Sequence, residues 1–146
     1  VQFPLCKALH KGKTYLACAL GDAACKYGFT VLYKQLPKLL REIAASQADG
    51  SYDRFLIRLS KVHLLILDDW LLDGLSFVQT KNMLEILDDR DNKASTIFST
   101  QMPVSKWHTR FEDPTLADAI MDRVVHNAYR IELKGESMRK KRKTLT

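Results

Sequence analysis

The chain has 146 residues, 46% hydrophobic and 27% charged, which suits one soluble-type domain with a sizeable core. No apolar run approaches the roughly 18 residues of a membrane span, and the opening VQFPLCKALHKGK lacks the basic region and apolar stretch of a secretory signal. Three cysteines, Cys6, Cys18 and Cys25, form an odd set without metal-ligand spacing, which argues against a disulfide framework or a zinc site.

The formal net charge of +6 is unevenly placed. Five of the 23 Lys and Arg residues are Arg139, Lys140, Lys141, Arg142 and Lys143, which leaves 18 basic against 17 acidic residues elsewhere. A nearly neutral body with a cationic tail suits a polyanion, DNA or RNA first; a solvated terminus is the plainer reading of the same run. The chain opens without Met, and we expect a fragment or a trimmed frame.

In chain order, residues 1–6 are a candidate strand weakened by Pro4, because proline cannot donate to a central ladder. Gly12-Lys13-Thr14 is how a phosphate-binding loop ends, yet the first glycine of G-x-x-x-x-G-K-[ST] falls on Lys7. Leu16, Ala19, Leu20 and Ala23 give residues 13–26 one apolar helical face, with Gly28 as a stop. FTVLY (29–33) reads as a strand, and residues 36–46 and 51–61 read as helices parted at Asp49-Gly50. LLIL (64–67), followed by Asp68-Asp69, has the unbroken apolar character of a strand buried on both faces. After a loop at 70–76, Thr80, Met83, Leu84 and Leu87 mark a helix, and STIFST (95–100) marks the next strand. Asp113-Pro114 is a helix start, with Asp as cap and Pro in the first position. YRIEL (129–133) alternates like a strand nearer a sheet edge.

Five strands alternating with helices predict a three-layer α/β domain with a mainly parallel sheet. Ligands bind such sheets at the carboxyl ends of the strands. Gly12-Lys13-Thr14, Asp68-Asp69 and Ser99-Thr100-Gln101 all fall at those ends. The pattern suits a nucleotide site. Lys13 supplies a charge for the β- and γ-phosphates, and the Thr14 hydroxyl a ligand for Mg²⁺. Asp68 fits the metal role, and Asp69 that of a base for the attacking water. Trp70 and Trp107 read as packing anchors. His63 and His126 lack ligand-spaced companions, and His108 is a loop residue without an evident partner.

KTYLACALGDAAC, LLILDDWLLDGLS, ASTIFSTQMPVSKWH and DPTLADAIMDRVVHNAYRIELKGESMRK together resemble the IstB family over about Gly12 to Lys140. These are ATP-binding helpers of insertion-sequence transposition, similar to DnaC-type helicase loaders within the AAA+ class of P-loop NTPases. The resemblance implies an AAA+ core over 1–136 and a basic tail over 137–146. It matches Gly12, Lys13 and Thr14 to the end of Walker A, and Asp68 and Asp69 to Walker B. Thr100, with Gln101, falls at the polar sensor position. Arg123 is similar to the arginine that reaches a neighbouring subunit's ATP; its alternative is a surface residue paired with Asp118 or Asp122. Arg139 is similar to a second arginine near the nucleotide. ATP and Mg²⁺ as cofactors, and DNA, a cognate transposase and further copies of the chain as partners, follow from the same resemblance, as does a bacterial cytoplasmic location.

The family loop reads G-P-T-G-x-G-K-T, whereas residues 7–14 here read K-A-L-H-K-G-K-T. Lys7 stands where a turn needs glycine; a residue with Cβ held left-handed costs about 1–2 kcal/mol. His10 places an imidazole where bare backbone approaches phosphate. Cations at Lys7, His10 and Lys11 attract phosphate but do not replace a preorganised nest of N–H groups. On the resemblance, the family's helical region ahead of the P-loop is expected to be missing. Three expectations follow: a transposition helper with impaired ATP hydrolysis, a non-catalytic DNA-binding remnant of one, or a DnaC-like helicase loader.

Overall fold

A computed structural model describes residues 12–126 and 128–133 of the chain. The candidate strand at 1–6, Lys7, His10, Asn127 and the basic tail with Arg139 lie outside the described residues.

Three strands form one parallel sheet in the order β1–β2–β3: β1 (Val31–Gln35), β2 (Leu64–Asp68) and β3 (Ser95–Phe98). The register sets Tyr33 beside Ile66 and Gln35 beside Asp68 on one side of β2, and Leu67 beside Phe98 on the other. The helices are α1 (Gly12–Lys26), α2 (Leu36–Asp49), α3 (Tyr52–Lys61), α4 (Phe77–Arg90) and α5 (Pro114–Val125).

The apolar run in β2 explains the layering. Successive side chains alternate faces. Leu65 and Leu67 enter the larger core with α2, α3, α4, α5 and the two tryptophans, while Ile66 packs with Ala17 of α1 and Val31. Leu65, Ile66 and Leu67 are fully buried, as a central parallel strand with helices on both faces requires. Trp70 stacks edge-on against Phe98 and Trp107, so both tryptophans are packing anchors. Asp113 caps α5 by accepting from the Leu116 N–H at 2.8 Å, and Pro114 opens the helix.

The three-layer parallel architecture is the predicted one, with corrections in detail. FTVLY was expected to be extended from residue 29, but the strand begins at Val31. Gly28 lies in a left-handed turn, and Thr30 is drawn sideways to His63, its N–H donating to Nδ1 at 3.0 Å. YRIEL is not a strand. Residues 128–133 are irregular and exposed, so alternation there meets no ladder partner among the described residues. The sheet so described has three strands rather than five. His108 is not in a plain loop: it sits in a short 3₁₀ turn and reaches Asp118 at 2.9 Å. Cys18 is buried on α1, and Cys25 is a free thiol.

Candidate functional site at the strand ends

The alternation that builds the core also builds the site. Asp68 is two residues beyond Ile66, so its carboxylate leaves β2 on the face that α1 covers. Tyr33, two residues beyond Val31, leaves β1 on that same face. α1 begins at Gly12 and delivers Thr14 onto the end of β2.

The Thr14 hydroxyl donates to Asp68, at 3.1 Å from Oδ2 and 3.3 Å from Oδ1. The Tyr33 hydroxyl donates a short hydrogen bond to Oδ2, and the Asp69 N–H donates to Oδ1 at 2.9 Å. Asp68 is only 5% exposed, and no basic side chain pairs with it among the described residues. A buried carboxylate held by two hydroxyls and an amide, without a cation, is an arrangement that a divalent ion would complete. Burial, together with the hydrogen bond to Asp68 and the nearby charges of Asp68 and Asp69, pushes the Tyr33 phenol well above the usual tyrosine range. It therefore stays a donor.

Lys13 Nζ donates to the Thr100 carbonyl at 2.8 Å, which ties the helix start to the end of β3. The Thr100 hydroxyl donates to the Trp70 carbonyl at 2.7 Å and accepts from the Met102 N–H at 3.0 Å. The Trp70 N–H returns a bond to the Ser99 carbonyl at 2.9 Å. These bonds pin a turn in which Asp69 and Leu71 both have left-handed backbone, with φ of 55° and 56°. Non-glycine residues there are strained, and such strain clusters at functional positions. A Cβ on Gly12 would meet Leu133 at an ordinary 3.8 Å. Glycine at this position is thus not dictated by protein packing among the described residues.

Gly12, Lys13, Thr14, Asp68, Asp69 and Thr100 are gathered at one end of the sheet. Arg123 is not. It lies on α5, paired with Asp88 of α4 and donating to the Ala119 carbonyl at 3.0 Å. Neither suggested partner holds it, since Asp118 reaches His108 and Asp122 faces His126. A cleft of about 320 Å³ opens beside the site, between α2, the 69–75 turn and α4. It is lined by Arg41, Asp69, Asp73 and Gln79 among others. It takes in neither Lys13 nor Thr14, and Asp69 is its link to them. The sequence reading missed Tyr33. The signal was available in period two: Tyr33 shares the parity of Val31, but only the β1–β2 register, which sets it beside Ile66, brings its hydroxyl diagonally to Asp68.

Comparison with known proteins gives a consistent picture. The model of the IstB-like ATP-binding protein family matches residues 6–146. The insertion sequence ATP-binding protein y4pL of Sinorhizobium fredii is 48% identical over 136 residues, covering 93% of this chain and 56% of the relative. The insertion sequence IS21 ATP-binding protein of Pseudomonas aeruginosa is 34% identical over 132 residues, covering 90% and 50%. The chain thus spans about half the length of these relatives. Among solved structures, DnaI superposes with a TM-score of 0.72 at 27% identity, covering 84% of this chain and 67% of DnaI. DnaA from Aquifex aeolicus bound to AMPPCP gives 0.66 at 20% identity, covering 77% and 35%, a likeness of fold. The parallel sheet, the clustering of the GKT helix start with the Asp68-Asp69 strand end, and a family match across nearly the whole sequence place this chain in the IstB-like ATP-binding protein family, with a P-loop NTPase fold.

Proposed function

We propose that the chain binds ATP with Mg²⁺ at these strand ends and serves insertion-sequence DNA transposition as an ATP-binding helper, with weakened hydrolysis in this copy. The observation that carries the reading is the Thr14–Asp68 hydrogen bond. It brings Thr14 onto Asp68 across 54 residues of sequence, and supports a reading in which that buried carboxylate receives a cation.

The residues present fit both cofactors. Lys13, turned from the Thr100 carbonyl, would hold the terminal phosphates, and the N–H groups at the start of α1 add positive potential. Thr14 and Asp68 would hold Mg²⁺ or its water shell, and bound Mg²⁺ would neutralise phosphate charge. Asp69 would accept a proton from water. Thr100 fixes the turn that carries Asp69, which gives the sensor position a physical task. Arg123 would act only in an assembly, on a neighbour's nucleotide, because within one chain it stands on α5 against Asp88.

Weakened hydrolysis rests on Lys7 and His10 in place of the two family glycines. DNA, a transposase and further copies of the chain are the proposed partners. Arg139, Lys140, Lys141, Arg142 and Lys143 would contact phosphate backbone, which positions a protein without reading sequence. A bacterial cytoplasmic location belongs to the same proposal; no helix among the described residues is long and apolar enough to cross a membrane. A helicase-loader role has less support, since identity to DnaI is 27% against 48% for y4pL.

Titration of a fluorescent ATP analogue with Mg²⁺ tests the reading. Saturable binding that is lost in Lys13→Ala is the expected result, and no binding by either protein overturns it. Lys7→Gly with His10→Gly should raise the hydrolysis rate if the altered loop limits it. An unchanged rate would remove the case for impairment.

A further inference from the structure

We infer that Tyr33 is a positioning residue of the metal half of this site, holding the Asp68 carboxylate in the orientation that receives a divalent cation. The inference rests on the nucleotide reading above and adds a residue that reading does not use.

Three observations carry it. First, Tyr33 and Asp68 stand on adjacent parallel strands and leave them on the same face, so the phenol meets the carboxylate from the β1 side. Thr14 meets it from the α1 side. Second, each partner has its own place. Tyr33 takes Oδ2, the Asp69 N–H takes Oδ1, and Thr14 lies within reach of both oxygens. With a donor on each oxygen, Tyr33 from β1 and the Asp69 amide just past β2, rotation of the carboxylate plane is resisted. Thr14 is the partner shared with the phosphate loop, and its hydroxyl can rotate to offer a lone pair instead of a proton. Third, the phenol is a neutral donor in a buried site. It orients the carboxylate without cancelling its charge, as a lysine or arginine would.

Ligating carboxylates need such outer partners, and losing one costs metal affinity about 10–100-fold. Tyr33→Phe removes the hydroxyl and keeps the ring among its neighbours. We expect the variant to bind a fluorescent ATP analogue without metal as the unaltered chain does. We also expect it to need about ten-fold more Mn²⁺ to form the ternary complex, read from the electron paramagnetic resonance of free Mn²⁺. Tyr33→Leu, which also lacks the hydroxyl, should show the same metal defect and controls for ring packing; circular dichroism establishes that each variant is folded.

Mn²⁺ affinity in Tyr33→Phe equal to or tighter than in the unaltered chain overturns the inference. Metal-free nucleotide binding that falls in step with metal binding does so too, since that marks a general loss of structure. If the unaltered chain takes up nucleotide but no Mn²⁺ enters the complex, Tyr33 has no metal to position and the inference fails alone. If the unaltered chain binds no nucleotide, the failure is that of the nucleotide reading, and the inference falls with it.

Discussion

The two ends of β2 each bury a charge, and they treat it in opposite ways. At the amino end Arg90 is 2% exposed and almost saturated. Its guanidinium donates to the carbonyls of Leu59, Val62 and Ser95, and to the Thr96 hydroxyl, at 2.6–3.1 Å. Leu59 and Val62 lie at the carboxyl end of α3, where the helix dipole is negative, so neutral carbonyls suffice to hold a cation. Burial lowers the Arg90 pKa, yet an arginine remains charged. At the carboxyl end Asp68 is 5% exposed and held by two hydroxyls and one amide. Backbone carbonyls cannot leave, whereas a hydroxyl can turn. The Arg90 end is a closed clamp joining α3, α4 and β3, and the Asp68 end, which has no basic partner among the described residues, is where we propose a ligand.

The largest expected effect tests the closed end. Arg90→Ala leaves the buried Leu59 carbonyl and the part-buried carbonyls of Val62 and Ser95 without this donor, and should lower unfolding free energy by about 3–5 kcal/mol, measured by urea denaturation. Nucleotide affinity of the molecules still folded should not change. A loss below about 1 kcal/mol would mean that water replaces the guanidinium and that the clamp is not closed.

Asp68→Asn tests the open end and should invert the pattern. No partner cation is stranded, but the new amide N–H faces a donor on one side of the group, so apo stability should fall by about 1–3 kcal/mol, less than in Arg90→Ala. Metal-dependent nucleotide binding should fall by about 100-fold or more, because the ligand itself is lost. If Asp68→Asn unfolds the chain as Arg90→Ala does, the carboxylate is a structural group and the contrast between the ends disappears.

Thr14→Val refines this further. It removes the shared hydroxyl and leaves Tyr33 and the Asp69 amide on Asp68. Metal-linked affinity should drop about ten-fold, with metal-free binding nearly retained; equal losses in both would place Thr14 on phosphate alone.

These contrasts mark what the sequence could carry. The helix over residues 13–26, the buried run before Asp68-Asp69, and the Asp113-Pro114 cap are local signals, and all three appear in the structure. The gathering of Lys13, Asp68 and Thr100 followed from the general rule for parallel sheets. Tyr33 and Arg90 escaped notice because their roles depend on register and on partners 28–35 residues away. YRIEL misled for a related reason. Alternation shows that a segment could lie on a sheet, but a strand exists only where a neighbour completes the ladder. Arg123 was given neighbours on its own helix, whereas its partner Asp88 lies on the packed helix α4.

The smallest effect on the lone chain belongs to that pair. Arg123 and Asp88 keep 37% and 47% of their side-chain surface exposed, and exposed pairs are worth about 0–1 kcal/mol. Asp88→Ala should therefore cost under about 1 kcal/mol of stability, read as a small shift in the urea midpoint. Weak pairing is what a residue must have if it is to leave its own chain and reach a neighbour's nucleotide. A mixing experiment separates this use from a surface role. Arg123→Ala chains keep Asp69, and Asp69→Asn chains keep Arg123, so a mixed assembly contains composite sites with both groups intact. ATPase activity recovered on mixing two inactive variants on DNA would place Arg123 in trans. An Arg123→Ala protein as active as the unaltered chain would leave the pair with Asp88 as its whole contribution.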